Sequence, residues 1–248
     1  MSTATLTRPA TKTRMRASRK QSLAAGIFYL VTFVSIPTLG LYTAAHSADF
    51  MAGTGPDSSV YIGAALEVFV ALAGIGTAIA LFPVVKKQNE SLAIGFVAAR
   101  TLEAAGIIVG VASILSLVAL RQSGAGADAA VTGDTLVIMY DKIFMLSGSL
   151  MPAINGLLLG TLLYRSRLVP RILPTIGLIG APILFVHTML AVVGVVENRS
   201  ASAGLAALLI AVWEFSLGVW LTFKGFKPSP ITDEFDAEAE AKKIAYAH

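Results

Sequence analysis

Six apolar runs, at about 22–45, 59–85, 91–120, 135–164, 172–196 and 201–223, take up most of this 248-residue chain. A bilayer crossing needs roughly 20 mainly apolar residues. Each run reaches that length, and no stretch between them is long enough for an independent soluble domain. Charged residues make up 14% of the chain, against about a quarter in soluble proteins. The pattern predicts an all-α integral membrane bundle of six helices. There is no cysteine, which removes disulfides, thiolate nucleophiles, Cys-ligated zinc and iron–sulfur clusters together.

Lys and Arg predict the orientation, because they concentrate in cytoplasmic loops. Arg8, Lys12, Arg14, Arg16, Arg19 and Lys20 precede the first run. Lys86 and Lys87 follow the second, Arg165, Arg167 and Arg171 follow the fourth, and Lys224, Lys227, Lys242 and Lys243 follow the sixth. With six crossings all of these fall on one side, and the opposite loops hold only Arg121 and Arg199. Both termini are expected in the cytoplasm. The net charge of +4 then reads as a topology signal, and no nucleic-acid partner is expected.

The expected organisation is a basic N-terminal tail (1–21), a membrane domain (22–227) and an acidic C-terminal tail (228–248). That acidic tail either forms a short helix or stays unstructured. The first run has a longer apolar stretch than a signal-peptide core and is read as an uncleaved helix. The outer loops at 46–58 and 121–134 are expected to be flexible connectors. Tyr42, Tyr61 and Tyr140 near one set of ends, with Phe82, Tyr164 and Trp220 near the other, read as interfacial aromatic belts.

The stretch "GFVAARTLEAAG" (95–106) places Arg100 and Glu103 deep inside the third run. Helical spacing puts both on one stripe with Gly106 and Gly110. Similar stripes of small residues run through Glu67, through Asp141 and Asn155, through His187 and through Glu214. Helix contacts in lipid are enriched in small residues, so these polar groups are expected to face inward. Arg100 is nine residues from the start of its run, and Glu214 is nine from the end of its own. The two should lie at one depth, with Arg100 bracketed by Glu103 and Glu214. Glu67, Asp141, Lys142 and His187 are expected to form a second cluster in the outer half, with Asn155 deeper. Pro37, Pro152 and Pro182 are candidate kinks beside a cavity.

Three segments carry a likeness: "LFPVVKKQNESLAIGFVAARTLEAAG" (81–106), "YRSRLVPRILPTIGLIGAP" (164–182) and "WEFSLGVWLTFKGF" (213–226). Together they resemble a bacterial multipass family catalogued as domain-of-unknown-function family 4386. The matching positions are Pro83, Arg100, Glu103, Pro170, Glu214, Gly218, Trp220 and Gly225. The resemblance implies a multipass protein of a bacterial inner membrane and brings no activity with it.

Charge inside a membrane is a functional hypothesis by default. Arg100, Glu103 and Glu214 read either as a proton, ion or solute site or as a structural lock on helix register. His187 lacks a second histidine at matching depth, so haem is not expected. Glu67, Asp141 and His187 are too dispersed to favour a metal site. No cofactor is expected. There is no H-E-x-x-H and no G-x-S-x-G, and Ser147 and Ser149 have no evident base, so an enzyme ranks last. A transporter-like or ligand-binding protein, partnered by lipid and by a small molecule or ion, ranks first. An accessory, sensor or scaffold protein ranks second.

Overall fold

The computed structural model describes residues 15–124 and 129–246, and every regular element among them is helical. Arg8, Lys12, Arg14 and His248 lie outside the described residues. The helices are α1 (Ala17–Thr32), α2 (Thr38–Leu41), α3 (Asp57–Val85), α4 (Glu90–Gln122), α5 (Ala130–Phe144), α6 (Met151–Ser166), α7 (Ile172–Val192), α8 (Ala201–Phe223) and α9 (Pro230–Ala245). A π-helical segment, Met145–Leu150, joins α5 to α6, so that Ala130–Ser166 runs as one 37-residue helix. Five helices are long and apolar enough to cross a membrane: α3, α4, the joined α5–α6, α7 and α8. This is the pattern of a multipass membrane protein.

The first run departs from the six-helix expectation. It is no single long helix: α1 ends at Thr32, a 3-10 turn covers Phe33–Ser35, and α2 is one turn long. Pro37 explains much of the break, since it has no N–H to continue the helical hydrogen-bond ladder. Hydroxyls complete it. Thr32 donates to the Tyr29 carbonyl at 2.7 Å, Ser35 to Thr32 at 3.1 Å and Thr38 to Ser35 at 2.6 Å. Side chains bonded to the backbone in this way compete with a regular helical ladder. Helix α1 also begins at Ala17, ahead of the apolar run.

The loop that follows, expected to be a flexible outer connector, is organised rather than slack. Phe50 is fully buried and carries the Arg121 guanidinium over its ring at 4.4 Å. Arg121 also donates to the Gly55 carbonyl and to Asp57, each at 3.0 Å. Part of the second outer loop, 125–128, lies outside the described residues.

At the other end, Arg19 of α1 donates to the carbonyls of Leu221 and Thr222 at 2.9 and 2.6 Å. These belong to the last turn of α8, whose carbonyls have no partners of their own helix and carry the negative end of its dipole. The acidic tail forms α9, started by a capping box between Ser229 and Thr232. Ser18 donates to Asp236 through its backbone N–H at 2.7 Å and its hydroxyl at 2.9 Å. Lys87, in the turn between α3 and α4, reaches Glu234 at 2.8 Å and Glu238 at 2.6 Å.

These partners hold Lys87 above the usual lysine range, while Lys87 holds Glu238 below the usual carboxylate range. A raised cation contributes below its unfolded titration and fails only as pH climbs through its raised value. A lowered carboxylate contributes above its unfolded titration and fails as pH falls through its lowered value. Docking of α9 is therefore expected to hold across neutral pH and loosen in acid below the ordinary carboxylate range. It should also weaken with salt, because exposed ion pairs are screened. Limited proteolysis after α8 measures both, and cleavage that ignores pH and salt contradicts the arrangement.

Candidate functional site

Arg100 is 2% exposed and lies between two carboxylates. Its Nη1 donates to Glu103 Oε1 and Oε2 at 3.2 and 3.0 Å, one helical turn away. Its Nη2 donates to Glu214 Oε1 on α8 at 2.5 Å and to the Tyr29 hydroxyl on α1 at 3.3 Å. The guanidinium also lies over the rings of Tyr29 and Phe96. Asn155 of α6 donates to Glu103 Oε2 at 2.6 Å. One buried polar group thus draws on α1, α4, α6 and α8.

Close helix approaches set this geometry. A methyl at Gly26 would sit 2.4–2.8 Å from Thr222 and the Gly218 carbonyl, so α1 and α8 nearly touch one turn from Tyr29. Gly106 on α4 faces Ser147 in the π segment at a similar distance. Pro152 explains that segment. Its ring displaces the helical carbonyl four residues back, and a wider π turn absorbs the strain.

A cavity of about 240 Å3 adjoins the charges, with Arg100, Glu103 and Glu214 all on its wall. Gly74, Gly148, Pro152 and Ala211 form part of the apolar remainder. The broken end of α1 contributes Thr32 and Ser35. Irregular backbone at membrane depth is tolerated where it lines such a cavity.

The expected outer cluster does not assemble as one group. Glu67 accepts hydrogen bonds from the hydroxyls of Tyr140 and Tyr42, at 2.6 and 3.4 Å. Both tyrosines are buried, so they serve Glu67 rather than an interfacial belt. Asp141 pairs separately with His46 at 3.1 Å and Arg199 at 3.0 Å, and Arg199 also contacts the His46 ring. Lys142 points outward and is exposed. His187 meets Ser202 at 3.1 Å in an outward-facing groove between α7 and α8, because its register on α7 places Thr188, not His187, on the buried face. Asn155 belongs with Glu103, as described. No group of three or more potential metal-ligating side chains occurs among the described residues.

Sequence reasoning missed Tyr29, Ser35, Thr38 and His46, and gave Tyr42, Tyr140 and Arg199 other roles. One signal was available, the T-F-V-S-I-P-T stretch at 32–38. Its hydroxyls recur every third residue beside a proline, the spacing that eclipses side chains in a 3-10 turn.

Neither a curated protein nor a solved structure matches this chain. A family model described as a domain of unknown function, DUF4386, matches residues 24–225. That span holds the whole Arg100–Glu103–Glu214 group and ends at Gly225, whose carbonyl accepts from the Trp220 indole at 2.9 Å. The chain belongs to the DUF4386 family.

Proposed function

We propose that the protein binds a small solute inside its bundle, against Arg100, Glu103 and Glu214, as a transporter-like or ligand-binding membrane protein. The observation that carries this reading is the cavity of about 240 Å3 with all three charges on its wall. Liquid water occupies only about 30 Å3 per molecule, so the space suits a solute. One guanidinium faces two carboxylates, which leaves a negative charge in excess when both are ionised. Among the described residues, Glu214 is held through Oε1 alone. A solute with one cationic or donor group and a compact apolar body satisfies both the charge and the wall. In this reading the chain crosses a bacterial plasma membrane six times, the irregular backbone after α1 completing the first crossing, with both termini in the cytoplasm; the gathering of basic residues in alternate segments supports it.

The chain has no cysteine, so single cysteines report cleanly. Gly74 and Ala211 both line the cavity, and a methyl at Gly74 meets nothing within 4 Å. Gly74→Cys and Ala211→Cys are expected to react with a small membrane-impermeant thiol reagent, in intact cells or in inverted vesicles. Ser91→Cys and Ser123→Cys, at opposite ends of α4, serve as controls for orientation. If both controls react and both cavity cysteines stay silent, the solute reading fails. The buried ion set then acts as a lock on helix packing, and the accessory reading replaces it.

A further inference from the structure

A second cavity, of about 200 Å3, lies against Glu67. It shares Ser35, Ile36, Val70, Ile107 and Phe144 with the first. Glu67 is 5% exposed, and no basic side chain among the described residues pairs with it. Among the described residues, Tyr140 and Tyr42 donate its hydrogen bonds. The other polar side chains on the wall are Ser35 and Thr38. Each uses its hydroxyl proton on a backbone carbonyl, Ser35 at 3.1 Å and Thr38 at 2.6 Å. Only their oxygen lone pairs remain.

The side-chain polar groups of this chamber are therefore all acceptors: one carboxylate and two hydroxyl oxygens. A neutral acceptor has nothing to bind there, and an anion is repelled. A buried carboxylate that keeps its charge in a low-dielectric surrounding needs a positive partner, and the described residues supply none. Hard oxygen ligands favour hard cations. A single carboxylate charge balances a monovalent ion, whereas a divalent one would leave a net charge buried in the bundle. The volume also holds several waters at about 30 Å3 each, which is more than a bound proton requires.

We infer that the Glu67 chamber binds a small monovalent cation such as sodium, with Glu67 as its charged ligand and Ser35 and Thr38 as neutral oxygen ligands. This goes beyond solute binding at Arg100 and does not depend on it. The shared wall places the ion beside the first cavity, so that Phe144 and Ile107 border both occupants.

The test uses the full chain in detergent, with thermal unfolding followed as sodium chloride replaces choline chloride at constant ionic strength. The midpoint is expected to rise by about 3 °C for each tenfold increase in sodium above its dissociation constant. Glu67→Gln should abolish the rise. Thr38→Val, which keeps shape and removes one oxygen, should move the response to about tenfold higher sodium, a loss of about 1.4 kcal/mol. It reports on the site even if Glu67→Gln fails to fold. Identical melts in sodium and choline overturn the inference, as does a sodium response left unchanged by Thr38→Val and, where it folds, by Glu67→Gln. A midpoint that follows pH and ignores sodium assigns a proton to Glu67 and overturns it too. Cysteine labelling at Gly74 and Ala211 is read separately, so failure of the cation site is distinguishable from failure of the solute reading.

Discussion

Arg100→Met is expected to destabilise the bundle by about 3–5 kcal/mol, the usual loss when one partner of a buried ion pair is removed. Among the described residues Arg100 is the one cation that contacts Glu103 and Glu214. Its removal leaves two carboxylates facing each other, with only Asn155 still donating to Glu103. Methionine nearly fills the space of the aliphatic stem, so lost packing contributes little. Adding Glu103→Gln and Glu214→Gln to Arg100→Met should recover most of the loss, because replacing a whole buried ionic set with neutral groups is often close to neutral. Glu214→Leu alone should harm less than Arg100→Met, since Arg100 keeps Glu103 and Tyr29. Unfolding in mixed detergent micelles measures the series. If Arg100→Met melts like the parent, the ion set does not hold the helices together.

Gly26→Ala is the second large effect, at about 1–3 kcal/mol for overpacking. Most crowded glycines in the bundle meet side-chain atoms first. Gly26 also faces backbone, with its added carbon 2.5 Å from the Thr222 nitrogen and 2.8 Å from the Gly218 oxygen. The strain is relieved only by separating α1 from α8. That motion pulls Tyr29 away from Arg100 and strains the hydrogen bonds of Arg19 to the end of α8. Gly74→Ala is the matched control, with open space at its new carbon. Equal melting of the two variants would show that α1 and α8 do not pack as closely as described.

The long helices and the pairing of Arg100 with Glu214 were legible because both depend on regular spacing. Depth counted along two uninterrupted helices places partners 114 residues apart at one level. Regularity fails at Pro37 and before Pro152, and reading through it fails with it. Hydropathy counts Phe33, Val34 and Ile36 as continuing a span, while the hydroxyls between them unwind it. Tyr42 and Tyr140 show a second limit. A tyrosine near the end of an apolar run suits an interface as well as an inward hydrogen bond. Only the location of Glu67 decides between them. His187 shows a third, since a small-residue stripe on α7 does not settle which edge of it faces the core. The Asp141–His46–Arg199 group joins three segments distant in sequence, two of them in turns, where periodicity carries no information.

The contact between α1 and α8 has a consequence for how the protein is made. Ribosomal synthesis delivers α1 well before α8, yet Gly26 meets its close neighbours on α8 and Arg19 donates to carbonyls there. The first helix must therefore wait against α3, and against Arg100 of α4, until α8 is made. Arg100 waits as well, with Glu103 beside it and Glu214 still unmade. Assembly ends by closing a ring rather than by adding a final layer, and Ser18 meeting Asp236 marks the seam. A chain cut before α8 loses more than one helix: its first helix loses one of the two long helices it packs against, and its buried arginine keeps only one of its two carboxylates.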